Sequence, residues 1–169
     1  MQVNEADWYH RSGSGMTGNV ELEGKVSQIE DRLQAIEDRE QIRELTARYC
    51  HAIAAADVAG IVELFCEDGS FCIDDRVIKG TAALEEFYSS VLSTPPIPFI
   101  QNHVIDELHA TQARARSSAE IRMSQDGESI TAAGWYDDSF QRIDGQWKFH
   151  ERKFKFFHAV PLSKGWASG

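Results

Sequence analysis

The groups in this sequence with the right chemistry to move a proton, or to steady the charge it leaves behind, are histidines, tyrosines and one carboxylate–guanidinium pair. The stretch YCHAIAAAD (49–57) carries the first two types. An imidazole is the side chain suited to proton transfer near neutral pH, and His51 would act as a general base if its helix aims it inward. The alternative is a histidine on the helix surface beside Arg48. Tyr49 falls on an apolar stripe with Leu45 and Ile53. Its phenol would donate a hydrogen bond to a developing oxyanion in a dry pocket, or its hydroxyl would simply meet a backbone partner in the core. Further along, Tyr136, Asp138 and Phe140 alternate onto one strand face, with Arg152 on the next strand. An Asp138–Arg152 pair inside the fold would hold a fixed positive charge near a substrate anion or carbonyl; read structurally, it is a cross-strand ion pair. His103, Glu107 and His109 share strand parity, but their spacing matches no zinc pattern, so no metal is expected.

Those groups need helices and strands to hold them. Leu22, Val26, Ile29, Leu33 and Ile36 follow a heptad-like spacing, too short a run to define a coiled coil and expected to pack on its own domain or on a sister subunit. A second stripe, Ile42, Leu45, Tyr49 and Ile53, has a different register, which predicts a bend or a new helix near Asp38–Glu40. Asp57 is placed to cap a helix over AGIVELF. The Asp68–Gly69 pair reads as a turn, followed by short strands at Ser70–Asp74 and at VIKG. A helix over 81–92 with Thr81 as its cap comes next, and the prolines of TPPIPF stop it. From Ile100 the pattern becomes long strands separated by Asp126–Gly127 and Asp144–Gly145 hairpin signals. Helices followed by a run of antiparallel strands mean an α+β fold.

At 169 residues the chain is expected to form one domain. Its 17 basic and 27 acidic residues give a net charge of −10, which argues against nucleic acid or an anionic membrane surface as partner. No apolar run is long enough to span a bilayer, and the first residues lack the apolar stretch of a secretory signal. Cys50, Cys66 and Cys72, an odd set without regular spacing, read as reduced thiols and point to a cytoplasmic protein. The SGSG at 12–15 before Met16 resembles a linker or an alternative start. Residues 1–19 are therefore expected to be a disordered or partly foreign tail, 20–38 a helical extension of a domain over 20–160, and 161–169 a loose end.

Tyr49, Leu64–Phe65, EDGSF (67–71), Lys79–Gly80, EEFY (85–88), Asn102 and GWYDDSFQRIDGQWKF (134–149) together resemble the SnoaL-like group of the nuclear transport factor 2-like superfamily, over about residues 39–157. The resemblance implies a cone-shaped curved antiparallel sheet wrapped around about three helices, an internal pocket, no cofactor, and a homodimer or homotrimer built on the sheet face. Members such as scytalone dehydratase, bile-acid dehydratase and hexachlorocyclohexane dehydrochlorinase move a proton beside a carbonyl or a leaving group. The resemblance implies, for the dehydratases, an Asp about five residues after the helical Tyr and a His about four residues before the Asn that opens the long strand. Those positions here are Ala54 and Pro98, so the family's His–Asp dyad is absent. If position 98 faces the pocket, Asn102 does too and His103 points away, unless a bulge intervenes.

The leading expectation is a cofactor-free lyase or isomerase (dehydratase-, cyclase- or deformylase-like) acting on a small, mostly apolar, aromatic or polycyclic substrate. Its catalytic set would be His51 and Tyr49, with Asn102, His103, Tyr136, Asp138 and Arg152 around the substrate. Two alternatives stand beside it: a non-catalytic small-molecule-binding or accessory subunit, and a structural domain that binds a partner through the 20–40 helix.

Overall fold

Two helices come first, then a short pair of strands and a third helix, and four long strands follow. A computed structural model describes residues 14–165, with side chains from Asn19 onward; of the expected tails, 1–19 and 161–169, residues 1–13 and 166–169 lie outside the described residues, while 14–19 belong to a helix and Pro161 ends a strand. The chain divides into two units, 1–37 and 38–169, and the core and sheet belong to the second.

The first helix, α1, runs from Ser14 to Ala54 as one element, so no new helix starts at Asp38–Glu40. Residues 37–44 (EDREQIRE) contain no Gly or Pro and are mostly good helix formers. The change of apolar register therefore changes which face is apolar without ending the helix. Helix α2 (Val58–Glu63) starts where expected, with Asp57 accepting a hydrogen bond from the Gly60 amide at 2.9 Å. Strand β1 (Phe65–Ile73) includes Asp68–Gly69, so the turn expected there is instead an irregularity inside a strand. Strand β2 spans Arg76–Lys79 and helix α3 Thr81–Val91. The cap of α3 is Gly80, at φ 85°, and not Thr81, whose hydroxyl donates to the Glu67 carbonyl. Strands β3 (Ile97–Leu108), β4 (Gln112–Gln125), β5 (Glu128–Ile143) and β6 (Gln146–Pro161) follow. Both hairpin turns have positive φ at two successive residues, 51° and 81° at Asp126–Gly127 and 50° and 81° at Asp144–Gly145, the backbone that Asp-Gly supplies for a tight two-residue turn.

The six strands form one curved, unclosed sheet in the order β2-β1-β6-β5-β4-β3. All pairings are antiparallel except β1 with β6, which is parallel, a departure from the wholly antiparallel expectation. A buried aromatic and aliphatic core joins the C-terminal turns of α1 (Ile42, Leu45, Tyr49, Ile53) to α3 (Leu84, Phe87, Tyr88) and to the inner face of the sheet.

That inner face is not set by simple alternation. The register shifts within β3 between Gln101 and Val104, at Asn102, whose φ is 53°. It shifts again between β5 and β6, where Ser139 pairs with Glu151 but Phe140 pairs with Phe149. An extra residue in a strand sends everything after it to the opposite face. On β6 this lets Trp147 and Phe149, then Arg152 and Phe154, all be buried despite their mismatched parity.

A third shift lies between Ala133 and Gly134. A side chain at Gly134 would run into the Lys155 carbonyl oxygen and come within 2.8 Å of the Phe154 ring. Backbone does not yield as a flexible side chain does. Gly134→Ala is expected to destabilise the fold by about 2–3 kcal/mol, read as a lower urea midpoint at unchanged slope. An unchanged midpoint would show that this part of the sheet is loose.

Candidate functional site

Cross-strand register arranges the inner face into rows. Because β3 gains a residue, Asn102 and His103 together oppose Ser117; Ser117 pairs with Tyr136, and Tyr136 with Phe154. The next row is Ile105, Ala115, Asp138 and Arg152. The bulge decides which member of the Asn102–His103 pair turns inward. Asn102 is exposed, while His103 is half-buried with its Nδ1 sealed from solvent. The inward Asn102 expected from alternation is thus corrected, for the reason that alternation itself would have to fail: an inserted residue.

Above these rows lies a cavity of about 490 Å³, within the range of small-molecule sites. Its walls come from Ile53, Phe87, Leu92, Pro98, Ile121 and Phe156 among others, together with Tyr49, Tyr88 and Tyr136. The Tyr49 and Tyr88 hydroxyls are 3.0 Å apart and hydrogen-bonded. Burial holds all three phenols above their ordinary pKa, so they are neutral donors at any physiological pH. No His, Asp or Glu lines the cavity among the described residues.

Directly behind the tyrosines is Arg152, fully buried. Its guanidinium carbon lies 3.7 Å from the Tyr136 ring centre, 4.2 Å from Tyr49 and 4.6 Å from Phe149, an aromatic cage that offsets part of its lost hydration. Arg152 Nη1 and Asp138 Oδ2 are 3.5 Å apart. That is close enough to be an ion pair, yet neither group has a hydrogen-bond partner within the described chain. Burial opposes the Arg152 charge, but the neighbouring Asp138 and tyrosines keep it firmly protonated. Asp138 is pushed up to about 7, because burial outweighs the stabilising Arg152 charge.

His103 completes the inner set. Thr46 Oγ1 gives its proton to the Ile42 carbonyl at 3.0 Å and lies 3.5 Å from His103 Nε2. Nε2 therefore acts as the donor to Thr46, which leaves Nδ1 as a bare, buried acceptor with no partner. Burial, then the charges of Arg152 and Arg43, lower the imidazole pKa to about 4, so the ring is neutral at pH 7.

The candidates from sequence thus divide. Tyr49, His103, Tyr136, Asp138 and Arg152 converge on the inner face. His51 is exposed and lines no part of the cavity, because two helix positions turn it about 200° away from Tyr49; it is not the inward base first expected. Tyr88 and Ser117 were not singled out from sequence. Tyr88 could have been found from its spacing to Leu84, which puts it on the inward face of α3. Among the described residues, no group of three or more His, Cys, Asp or Glu is placed to hold a metal ion, and no helix is long and apolar enough to cross a membrane.

A curved sheet packed against helices, with an apolar cavity lined in part by tyrosines and an arginine caged behind them, defines a pocketed α+β protein. The chain belongs to the SnoaL-like domain family, whose model matches residues 34–153. No curated protein matches it significantly, but many solved structures do. A function-unknown protein from Mycobacterium tuberculosis is 26% identical, with 75% of this chain and 76% of that one covered and a TM-score of 0.69. A Novosphingobium aromaticivorans chain with the provisional name scytalone dehydratase is 19% identical, with 75% and 89% covered and a TM-score of 0.70. Hexachlorocyclohexane dehydrochlorinase LinA-type3 from Novosphingobium barchaimii is 17% identical, with 78% and 94% covered and a TM-score of 0.71. At these identities the last two establish the shared fold alone.

Proposed function

We propose that this chain is a cofactor-free lyase or isomerase acting on a small, mostly apolar molecule that carries a carbonyl or phenolic oxygen. The observation that carries the proposal is the bulge at Asn102, which turns a neutral His103 with a bare Nδ1 into the row that holds Tyr136. In this reading the apolar body of the substrate occupies the cavity and its oxygen meets the tyrosine hydroxyls. His103 Nδ1 takes a proton from carbon, reached by substrate or by ring rotation from below the cavity floor. Charge then builds on the substrate oxygen, where Tyr49 and Tyr136 donate and Arg152, behind their rings, lowers the energy of the anion. The provisionally named dehydratase and the dehydrochlorinase that share the fold favour the same reaction class.

A second reading is a non-catalytic binder, favoured by the lack of any His, Asp or Glu on the cavity wall among the described residues. Both readings require the cavity to be occupied. In a thermal-shift panel of small aromatic ketones, phenols and steroid-like compounds, a ligand at a hundredfold excess over Kd should raise the melting midpoint by about 5–10 °C. Ile121→Trp, which fills the wall, should abolish that shift while leaving the unliganded protein folded. Compounds that bind are then incubated and analysed for product. Turnover supports the lyase or isomerase, binding without turnover supports the carrier, and a panel in which Ile121→Trp shifts as the parent chain does removes the cavity from both.

A further inference from the structure

The apolar stripe at the start of α1 is exposed to solvent: Leu22, Val26, Ile29, Leu33 and Ile36 show between 46% and 63% of their surface. Five large aliphatic side chains on one edge of a helix call for a cover, and the charges beside them specify which. Taking Val26 and Leu33 as the first core position of a heptad and Leu22, Ile29 and Ile36 as the second, the position just after the second core residue is Glu23, Glu30 and Glu37. The position just before the first is Lys25 and Arg32. One flank of the stripe is acidic throughout and the other basic, and these side chains are exposed.

In a parallel pairing of two identical helices, the basic flank of each copy meets the acidic flank of the other, one heptad on: Lys25 with Glu30, and Arg32 with Glu37. In an antiparallel pairing, basic would face basic and acidic would face acidic. We infer that residues 22–37 form a parallel, in-register helical pairing with another copy of this chain. The stripe is short for a free coiled coil. However, the same helix continues to Ala54 through residues buried in a folded core, so the unfavourable nucleation of the helix has already been met. This inference is independent of what the cavity does.

The test uses the full chain. The unmodified protein should sediment as an oligomer. Combined Lys25→Glu and Arg32→Glu makes both flanks acidic and should weaken self-association by at least about tenfold, with the far-ultraviolet circular dichroism unchanged. Combined Glu30→Lys and Glu37→Lys should do the same by adding positive charge to the acidic flank. Mixing the two variants should restore association as a heterotypic species. Leu22→Cys should form an intermolecular disulfide under mild oxidation, beyond any seen with the unmodified chain, because parallel register sets position 22 against its copy. An unmodified chain that is monomeric, or variants that match its oligomeric mass, would overturn the pairing. Failure of Leu22→Cys to crosslink would overturn its orientation.

Discussion

Arg152→Met is expected to destabilise the fold by about 3–5 kcal/mol at pH 8, the usual loss when one partner of a buried ion pair is removed. The guanidinium and the Asp138 carboxylate are both fully buried, and no other cation contacts that carboxylate among the described residues. The loss should depend on pH in a defined direction. Asp138 already has its folded pKa raised to about 7, against about 4 in an unfolded chain. A raised carboxylate contributes stability below the unfolded pKa and loses it as pH rises toward the folded value. Because Arg152 is the influence that lowers the Asp138 pKa, its removal raises that pKa further. The variant should therefore be closest to the parent near pH 5, where Asp138 is neutral in both, and fall away steadily to pH 8. Urea denaturation at both pH values reads this. Adding Asp138→Leu should return most of the lost stability, since an apolar pair of similar volume replaces a buried ion pair at little cost. Equal destabilisation at pH 5 and pH 8 would mean that Asp138 carries no charge in the parent protein either.

The second large effect concerns turnover. His103→Ala should lower kcat by about 10²–10⁴-fold on any substrate found in the panel, the usual contribution of a positioned acid–base group, while the ligand-induced thermal shift persists. The pH profile of the parent enzyme supplies a separate signature. With the His103 pKa lowered to about 4, the acidic limb should fall near pH 4 and not near the value of a free histidine. For stability the sign is opposite to that of Asp138: an imidazole with a depressed pKa costs stability as pH drops from about 6.5 toward 4. The two groups therefore partly offset each other in the parent chain, and the variants separate them. Full turnover by His103→Ala, or an acid limb that it does not change, would remove His103 as the base and leave the proton transfer to another group.

Much of this architecture was legible in the residues. Composition, the two Asp-Gly hairpins and the alternation within the last three strands gave an α+β sheet with nearly correct strand limits, and the placing of Asp138 opposite Arg152 followed from strand order. The inward choice between neighbours was less legible. A period of two says which residues share a face only while no residue is inserted, and an insertion leaves no local hydrophobic mark. One clue was present: Trp147 and Phe149 have odd numbers while Phe154 and Phe156 have even ones, so both pairs can be inward only if the strand gains a residue between them. A second lay in Asn102, a residue type that tolerates positive φ within an otherwise β-rich run. His51 misled because its direction follows that of Ala54, one turn on, and Ala54 is itself exposed. The register change near Asp38 allowed a bend or a new helix, and the unbroken α1 excludes only the new helix.

The inserted residue at Asn102 has an evolutionary side. Moving it by a single position along β3 would present the amide inward and the imidazole to water, with the outer face of the strand and both flanking turns left as they are. Relatives that differ by such a slip would carry unlike interiors beneath almost identical sequences, and pairing them residue by residue would assign the wrong side chain to the pocket. In this scaffold a one-residue insertion or deletion can therefore exchange the reactive group as thoroughly as a point substitution does.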